Sequence, residues 1–167
     1  MSTSVDQLLG RLASAERRLA EHATGPVPSG LTEPDPGAEE RWEAGQVWAH
    51  LAEFPAYWLA QIRAVIAAGS VEPEPFGRVK TDTDRIAAIE RDRYADPPAL
   101  LERVRASLVD VSDAARTWDT DAWHRIGAHP TRGAMSVERI VEEFIVNHLE
   151  EHADQLDALV GDITPAT

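Results

Sequence analysis

Apolar residues recur at intervals of three and four along five stretches of this chain, the spacing of amphipathic helices. Residues 4–22 carry Val5, Leu8, Leu9, Leu12 and Leu19, with Ala13 and Ala15, and Ser4 followed by Gln7 suits a capping box. A second helix is expected from Ala38 or Glu43 to Ala68, with Val47, Leu51, Phe54, Trp58, Ile62, Val65 and Ile66 as its stripe and Gly69 as its terminator. Pro55 interrupts that stripe and predicts either a kink just past His50 or a junction where a new helix begins. A short third helix is expected from Asp82 to about Tyr94, with Ile86, Ala87 and Ile89 inward. Asp96-Pro97-Pro98 opens a fourth, whose apolar positions Leu101, Val104, Leu108, Val111, Ala115 and Trp118 alternate by three and four without a fault. The last runs from Ser136 to about Val160 through Val137, Ile140, Val141, Phe144, Ile145, Leu149, Leu156 and Leu159.

The joints are rich in helix breakers. Residues 25–37 hold four prolines and three glycines, 71–77 form a connecting loop, and 119–135 read as irregular. No stretch alternates convincingly as a strand. These patterns predict an all-α four-helix bundle with a short extra helix in the crossover connection, and a single domain over residues 1–167. The loop before the second helix is long enough to help cover a site.

The last helix breaks its own pattern in one respect. His148 and His152 fall one turn apart inside the apolar stripe, where Leu or Ile would be expected. Residues four apart bring their Cβ atoms within about 5–6 Å, so both rings can reach one metal ion. Six histidines in the chain make a chance pair at this spacing a roughly one-in-five event, so the pair alone is a weak signal. Bundles place metal ligands on facing helices, and His50 on the second helix supplies a third ring. Three imidazoles leave an open position, the mark of a catalytic rather than a structural site, and suit Zn, Ni, Cu or Fe. Gln46 and Glu53, one turn either side of His50, and Asn147 and Glu151 near His148 are candidates to orient ligands or move protons. His124 and His129 lie in a loop, where the alternatives are a substrate-facing role and the commoner one of solvated side chains. His148-Leu149-Glu150-Glu151-His152 also fits the H-x-x-E-H peptidase pattern, but only 15 residues follow it, too few for the further ligand that fold needs.

Charge and composition narrow the picture further. The net charge of −13, from 29 acidic and 16 basic side chains, would repel phosphate backbones and anionic membranes, so neither nucleic acid nor a membrane surface is an expected partner. The chain has no cysteine, which excludes disulfides, thiolate metal sites and a cysteine nucleophile. The first residues lack a signal-peptide pattern and no run of 18 apolar residues exists, so a cytoplasmic protein is expected.

Val47-Trp48-Ala49-His50-Leu51-Ala52-Glu53 and Asn147-His148-Leu149-Glu150-Glu151-His152, together with Gly127-Ala128-His129-Pro130-Thr131-Arg132-Gly133, resemble the DinB/YfiT-like superfamily. That group includes the amino-terminal domains of mycothiol-dependent maleylpyruvate isomerases and bacillithiol transferases. The resemblance implies a four-helix bundle, one divalent metal (zinc or nickel foremost) held by His50, His148 and His152, and often a homodimer. It further implies a small-molecule substrate and an enzyme using a low-molecular-weight thiol of the mycothiol type, as S-transferase or isomerase, or a metal-activated water. The competing expectation is a non-catalytic, metal-stabilised binding or interaction module.

Overall fold

The computed structural model describes residues 4–34, 39–69 and 71–161. Each expected helix forms. In α1 (Val5–Thr24) the Ser4 hydroxyl accepts from the Gln7 N–H while the Gln7 side chain accepts from the Ser4 N–H. α2 (Ala44–Ala68) runs unbroken through Pro55, which removes the junction alternative, and Gly69 ends it at φ 57°, in the left-handed region. The alternative start at Ala38 lies outside the described residues. α3 (Thr83–Asp92) follows Asp82, whose carboxylate accepts from the Arg85 N–H, and α4 (Pro97–Thr117) starts behind Asp96.

The stretch expected to be irregular is partly ordered. A one-turn helix α5 (Thr120–His124) precedes β2 (Ile126–His129) and β3 (Gly133–Ser136), which pair antiparallel. β1 (Glu74–Pro75), in the former connecting loop, adds parallel to β2, giving a three-stranded sheet in the order β1-β2-β3. The sequence hides this sheet because the buried positions of β2 are Gly127 and His129, not apolar side chains. Gly127 is required: a Cβ there would lie 2.5 Å from the Phe76 ring.

α1 packs against α4 and α7 (Asn147–Gly161), while α2 packs against α4, α6 (Val137–Val141) and α7. The first two helices therefore sit diagonally across the bundle, and the long connection between them spans that diagonal. α3 lies on α2. Trp48, Leu51, Phe54 and Ile62 of α2 are fully buried, together with Leu8, Leu19, Leu100, Ile145, Leu149 and Leu156. Each such leucine contributes about 1.5–3 kcal/mol by leaving water.

Two inward faces differ from expectation. On α3 the buried residues are Arg85 and Ile89, whereas Ile86 and Ala87 are exposed. Arg85 is buried because its guanidinium lies 5.2 Å from the Trp42 ring centre and donates to the Lys80 carbonyl at 2.8 Å. In the last helix a π turn (Glu142–Val146) separates α6 from α7. Its extra residue advances the inward face by one position, so Ile145 and Val146 are buried and Phe144 is only half-buried; Val160, at the far end, is exposed. Arg11 of α1 clamps this turn, donating to Glu142 at 3.2 Å, Asn147 at 2.7 Å and Glu150 at 2.5 Å.

Asp92 ties the end of α3 to α4. Hydrogen bonds from Arg91, and then from Arg103, hold its carboxyl at about 2, below the ordinary 3.8. A depressed carboxyl stabilises the fold above its unfolded value and loses that contribution as pH falls through the folded one. Asp92→Asn should therefore cost less than about 1 kcal/mol at neutral pH and flatten the acid limb of a stability profile between about pH 4 and 2. Urea unfolding at several pH values reads the difference.

Candidate metal centre and its cavity

Three histidine side chains from two helices meet in the bundle. His50 comes from the second turn of α2, while His148 and His152 follow the π turn on successive turns of α7. Their ligating atoms lie within 4.8 Å of one another, with Nε2 of His148 at 2.9 Å from that of His50 and 3.1 Å from that of His152. Tetrahedral ligation with bonds of about 2.0–2.1 Å puts nitrogens roughly 3.3 Å apart, so the spacing fits an ion within a few tenths of an ångström.

The outer ring nitrogens show which atoms carry protons. His50 Nδ1 donates to Glu53 Oε1 at 2.7 Å, and a carboxylate only accepts. His152 Nδ1 donates to the Gln155 amide oxygen at 2.7 Å. Both Nε2 atoms are therefore bare lone pairs turned toward one point, a repulsive arrangement that a cation relieves. Burial and then the neighbouring imidazoles push His50 well below the ordinary 6.5, with Arg85 and Arg78 adding to the shift. Burial and then His148 lower His152 as well, with Gln155 opposing. Both rings are neutral at pH 7, the form a metal requires.

Aromatic rings close the site. Trp42 stacks on His152 at 5.8 Å and meets His50 edge-on at 5.2 Å, while Phe54 meets His148 at 4.8 Å. Trp42 is fixed by the preceding loop: its N–H donates to Thr32 Oγ1 at 3.0 Å and its carbonyl accepts from the Thr32 N–H at 2.8 Å. Leu31, Thr32, Glu33 and Pro34 of that loop line a cavity of about 460 Å³ beside His148 and His152. A larger one, of about 820 Å³, opens on all three histidines and extends between Trp42, Trp58 and Phe144.

The candidates around the histidines separate clearly. Glu53, 9% exposed, holds His50 and is itself gripped by Arg78 at 2.6 and 2.7 Å, with the Arg78 guanidinium 3.9 Å over the Tyr57 ring. Glu151 lies 3.5 Å from His148 Nδ1 and lines both cavities. Gln46 and Asn147 are not brought to the histidines: Gln46 accepts from the Glu43 N–H, and Asn147 accepts from Arg11. Their spacing put them near His50 and His148, but each points to its own helix start or across to α1.

His124 is exposed as expected, but His129 is buried on the cavity wall, stacked on Phe144 at 4.9 Å. Its Nδ1 accepts from the Thr131 and Arg132 N–H groups, each at 3.3 Å. Its Nε2 is buried without a hydrogen bond of good geometry among the described residues, although the Arg78 backbone lies close enough to oppose the lowering that burial imposes. Gln155 escaped the sequence reading although a signal was present. Each of the three histidines is followed three residues later by Glu or Gln: Glu53, Glu151 and Gln155.

Residues 11–156, nearly the whole bundle, match the DinB superfamily. The chain belongs to that superfamily. This DinB protein resembles in fold YfiT from Bacillus subtilis, described as a "probable metal-dependent hydrolase with an unusual four-helix bundle topology" (TM-score 0.73, 18% identity, covering 94% of this chain and 86% of that one). It also resembles the mycothiol-dependent maleylpyruvate isomerase (TM-score 0.69, 13% identity), of which it spans 65%, with 97% of this chain covered. A third similar structure is the colibactin self-resistance protein ClbS in complex with double-stranded DNA (TM-score 0.64, 15% identity, 96% of this chain and 98% of that one). Identities this low establish the fold alone. The expectation of no nucleic-acid partner therefore rests on the charge of this chain and not on its architecture. No curated protein matches the chain in sequence. Among the described residues no helix is long and apolar enough to cross a membrane.

Proposed function

We propose that this DinB protein is a metal-dependent enzyme in which His50, His148 and His152 hold one divalent ion, zinc or nickel foremost. A low-molecular-weight thiol of the mycothiol type attacks a small electrophile bound in the larger cavity. The observation that carries this reading is the convergence of bare Nε2 lone pairs at the wall of an open cavity. A closed structural site would use four protein ligands, and an open one beside a cavity favours catalysis over a purely metal-stabilised module. A divalent ion held there lowers the pKa of a thiol or water that reaches it.

The chain itself supplies the rest. Glu53 and Gln155 fix the ring orientation and tautomer of His50 and His152. Trp42 and Phe54 keep water from the buried side of the rings. Of the two carboxylates on the cavity wall, Glu143 is engaged by Arg139 at 2.6 Å, which leaves Glu151 as the better acceptor for the nucleophile's proton. A chain without cysteine borrows its sulfur nucleophile from solution. The second reading, hydrolysis by a metal-activated water, is favoured by the description of YfiT.

Native mass spectrometry of the purified protein should find about one divalent ion per chain, absent from His148→Ala. A parent protein that stays folded without metal and binds none refutes the site. With metal restored, a panel of thiols and electrophiles beside simple esters separates thiol transfer from hydrolysis. Turnover of neither moves the protein to the class of binding modules.

A further inference from the structure

Among the described residues three histidines are buried, and His129 alone of these stands outside the metal centre. A buried imidazole costs free energy unless its nitrogens find partners, so what each nitrogen faces matters. Nδ1 accepts from the Thr131 and Arg132 N–H groups, each at 3.3 Å, with the Thr131 hydroxyl at the same distance. That leaves the lone pair on Nδ1 and the ring proton on Nε2. Phe144, Phe76 and Trp58 fix the ring, with centroids at 4.9, 5.4 and 6.1 Å.

The Nε2 edge is pressed against the backbone of the loop after β1. A Cβ on Gly77 would lie 2.5 Å from His129 Cδ2 and 2.9 Å from Nε2, so only glycine lets the ring come this close. Burial lowers the pKa of the ring; the Arg78 backbone and then Glu143 oppose that lowering, while Arg132 adds to it. A backbone group favours a protonated ring only as an acceptor, so the Nε2 proton faces the Arg78 carbonyl, though short of good hydrogen-bond geometry.

The same segment carries the support of the metal centre. The Phe76 N–H donates to the Ala128 carbonyl at 3.1 Å, and the Gly77 N–H to Gln61 Oε1 at 2.8 Å. These bonds hold the two residues before Arg78, and His129 meets Arg78 itself. From there the Arg78 guanidinium reaches Glu53 at 2.6 and 2.7 Å, and Glu53 accepts the Nδ1 proton of His50 at 2.7 Å.

We propose that His129 is a positioning residue for the metal centre. Its Nε2–H steadies the Arg78 backbone, which aims the guanidinium at Glu53 and so keeps the His50 proton on Nδ1 and the His50 Nε2 free for a metal. His129 thus acts through Arg78 and Glu53 and not on the ion. The role rests on the metal-enzyme reading above for its catalytic meaning, but its effect on His50 belongs to the metal-free chain as well.

Two substitutions separate the nitrogens of the ring. His129→Gln puts an amide donor near the place of Nε2 and loses the acceptor for the turn, whereas His129→Asn keeps an acceptor near Nδ1 and loses the donor. Both lose the packing of the ring. Chelator competition should find metal bound about tenfold more weakly in His129→Asn and within about threefold of the parent in His129→Gln. His129→Leu, which keeps apolar packing without either nitrogen, should follow His129→Asn. Nitrogen-15 NMR of the metal-free proteins should show His50 as the Nδ1–H tautomer in the parent and in His129→Gln, and as a mixture in His129→Asn and His129→Leu. Equal losses of affinity in the glutamine and asparagine variants, or a His50 tautomer unmoved by loss of the donor, overturns the proposal and leaves His129 as packing. A parent chain that binds no metal refutes the metal-enzyme reading, and the tautomer comparison in that chain still decides this one.

Discussion

Glu53→Ala is expected to lower metal affinity about 10–100-fold and to destabilise the metal-free protein by about 3–5 kcal/mol. The two losses have different origins. His50 loses the acceptor that holds its proton on Nδ1, so the ring turns freely and its Nε2 is no longer committed as a lone pair. Arg78, 9% exposed, loses the carboxylate that grips it and is left as a charge with little water around it. Glu53→Ala combined with Arg78→Met should recover most of the stability, because the stranded charge is gone, but not the affinity. Chelator competition reads the affinity and urea unfolding in chelator reads the stability. Unchanged metal affinity in Glu53→Ala would mean that the carboxylate serves the fold alone.

Gly45→Ala should be the most damaging glycine-to-alanine change among the described residues, at about 3 kcal/mol or more. A Cβ at residue 45 would sit 2.0 Å from the Arg93 carbonyl oxygen and 3.2 Å from its carbon, and backbone cannot turn aside as a side chain can. Helix propensity alone would favour alanine there by up to about 1 kcal/mol, so the sign of the result decides between the two effects. For a domain of this size the loss corresponds to a fall of roughly 6–12 °C in the melting temperature. The first turn of α2 would have to move off α3, and it stands between Trp42 and His50, so metal affinity should fall with it. A variant melting at the parent temperature would show that α2 and α3 do not approach so closely in solution.

Much of this architecture is legible along the chain because helical stripes record burial directly. Val47, Leu51, Phe54 and Ile62 announce the inner face of α2, and the Ser4–Gln7 pair announces the start of α1. His50, His148 and His152 were recognisable because a polar ring inside an apolar stripe needs a reason. The sheet was hidden because strands of two to four residues offer too few positions to alternate, and their inward members are Gly127 and His129. Ile86 and Ala87 gave up the inward face of α3 to Arg85, whose long stem packs like an apolar side chain while its charge reaches the Lys80 carbonyl. Lys80 and Arg132 lie far apart in sequence, and the pairing of β1 with β2 brings their loops to the wall of one cavity. Pairings of that range leave no local trace.

The π turn at Glu142–Val146 sets the phase of everything after it. One surplus residue rotates the remaining screw by about 100° relative to an uninterrupted helix. Deleting a single residue there would restore regular backbone bonding and, by the same stroke, swing His148 and His152 away from His50. The helix thus tolerates a local irregularity, braced by Arg11, and that irregularity brings two imidazoles into step with a third on another helix of the bundle. Insertions or deletions of one residue between Ser136 and His148 are therefore far more consequential than substitutions at the same positions, whatever reaction the centre performs.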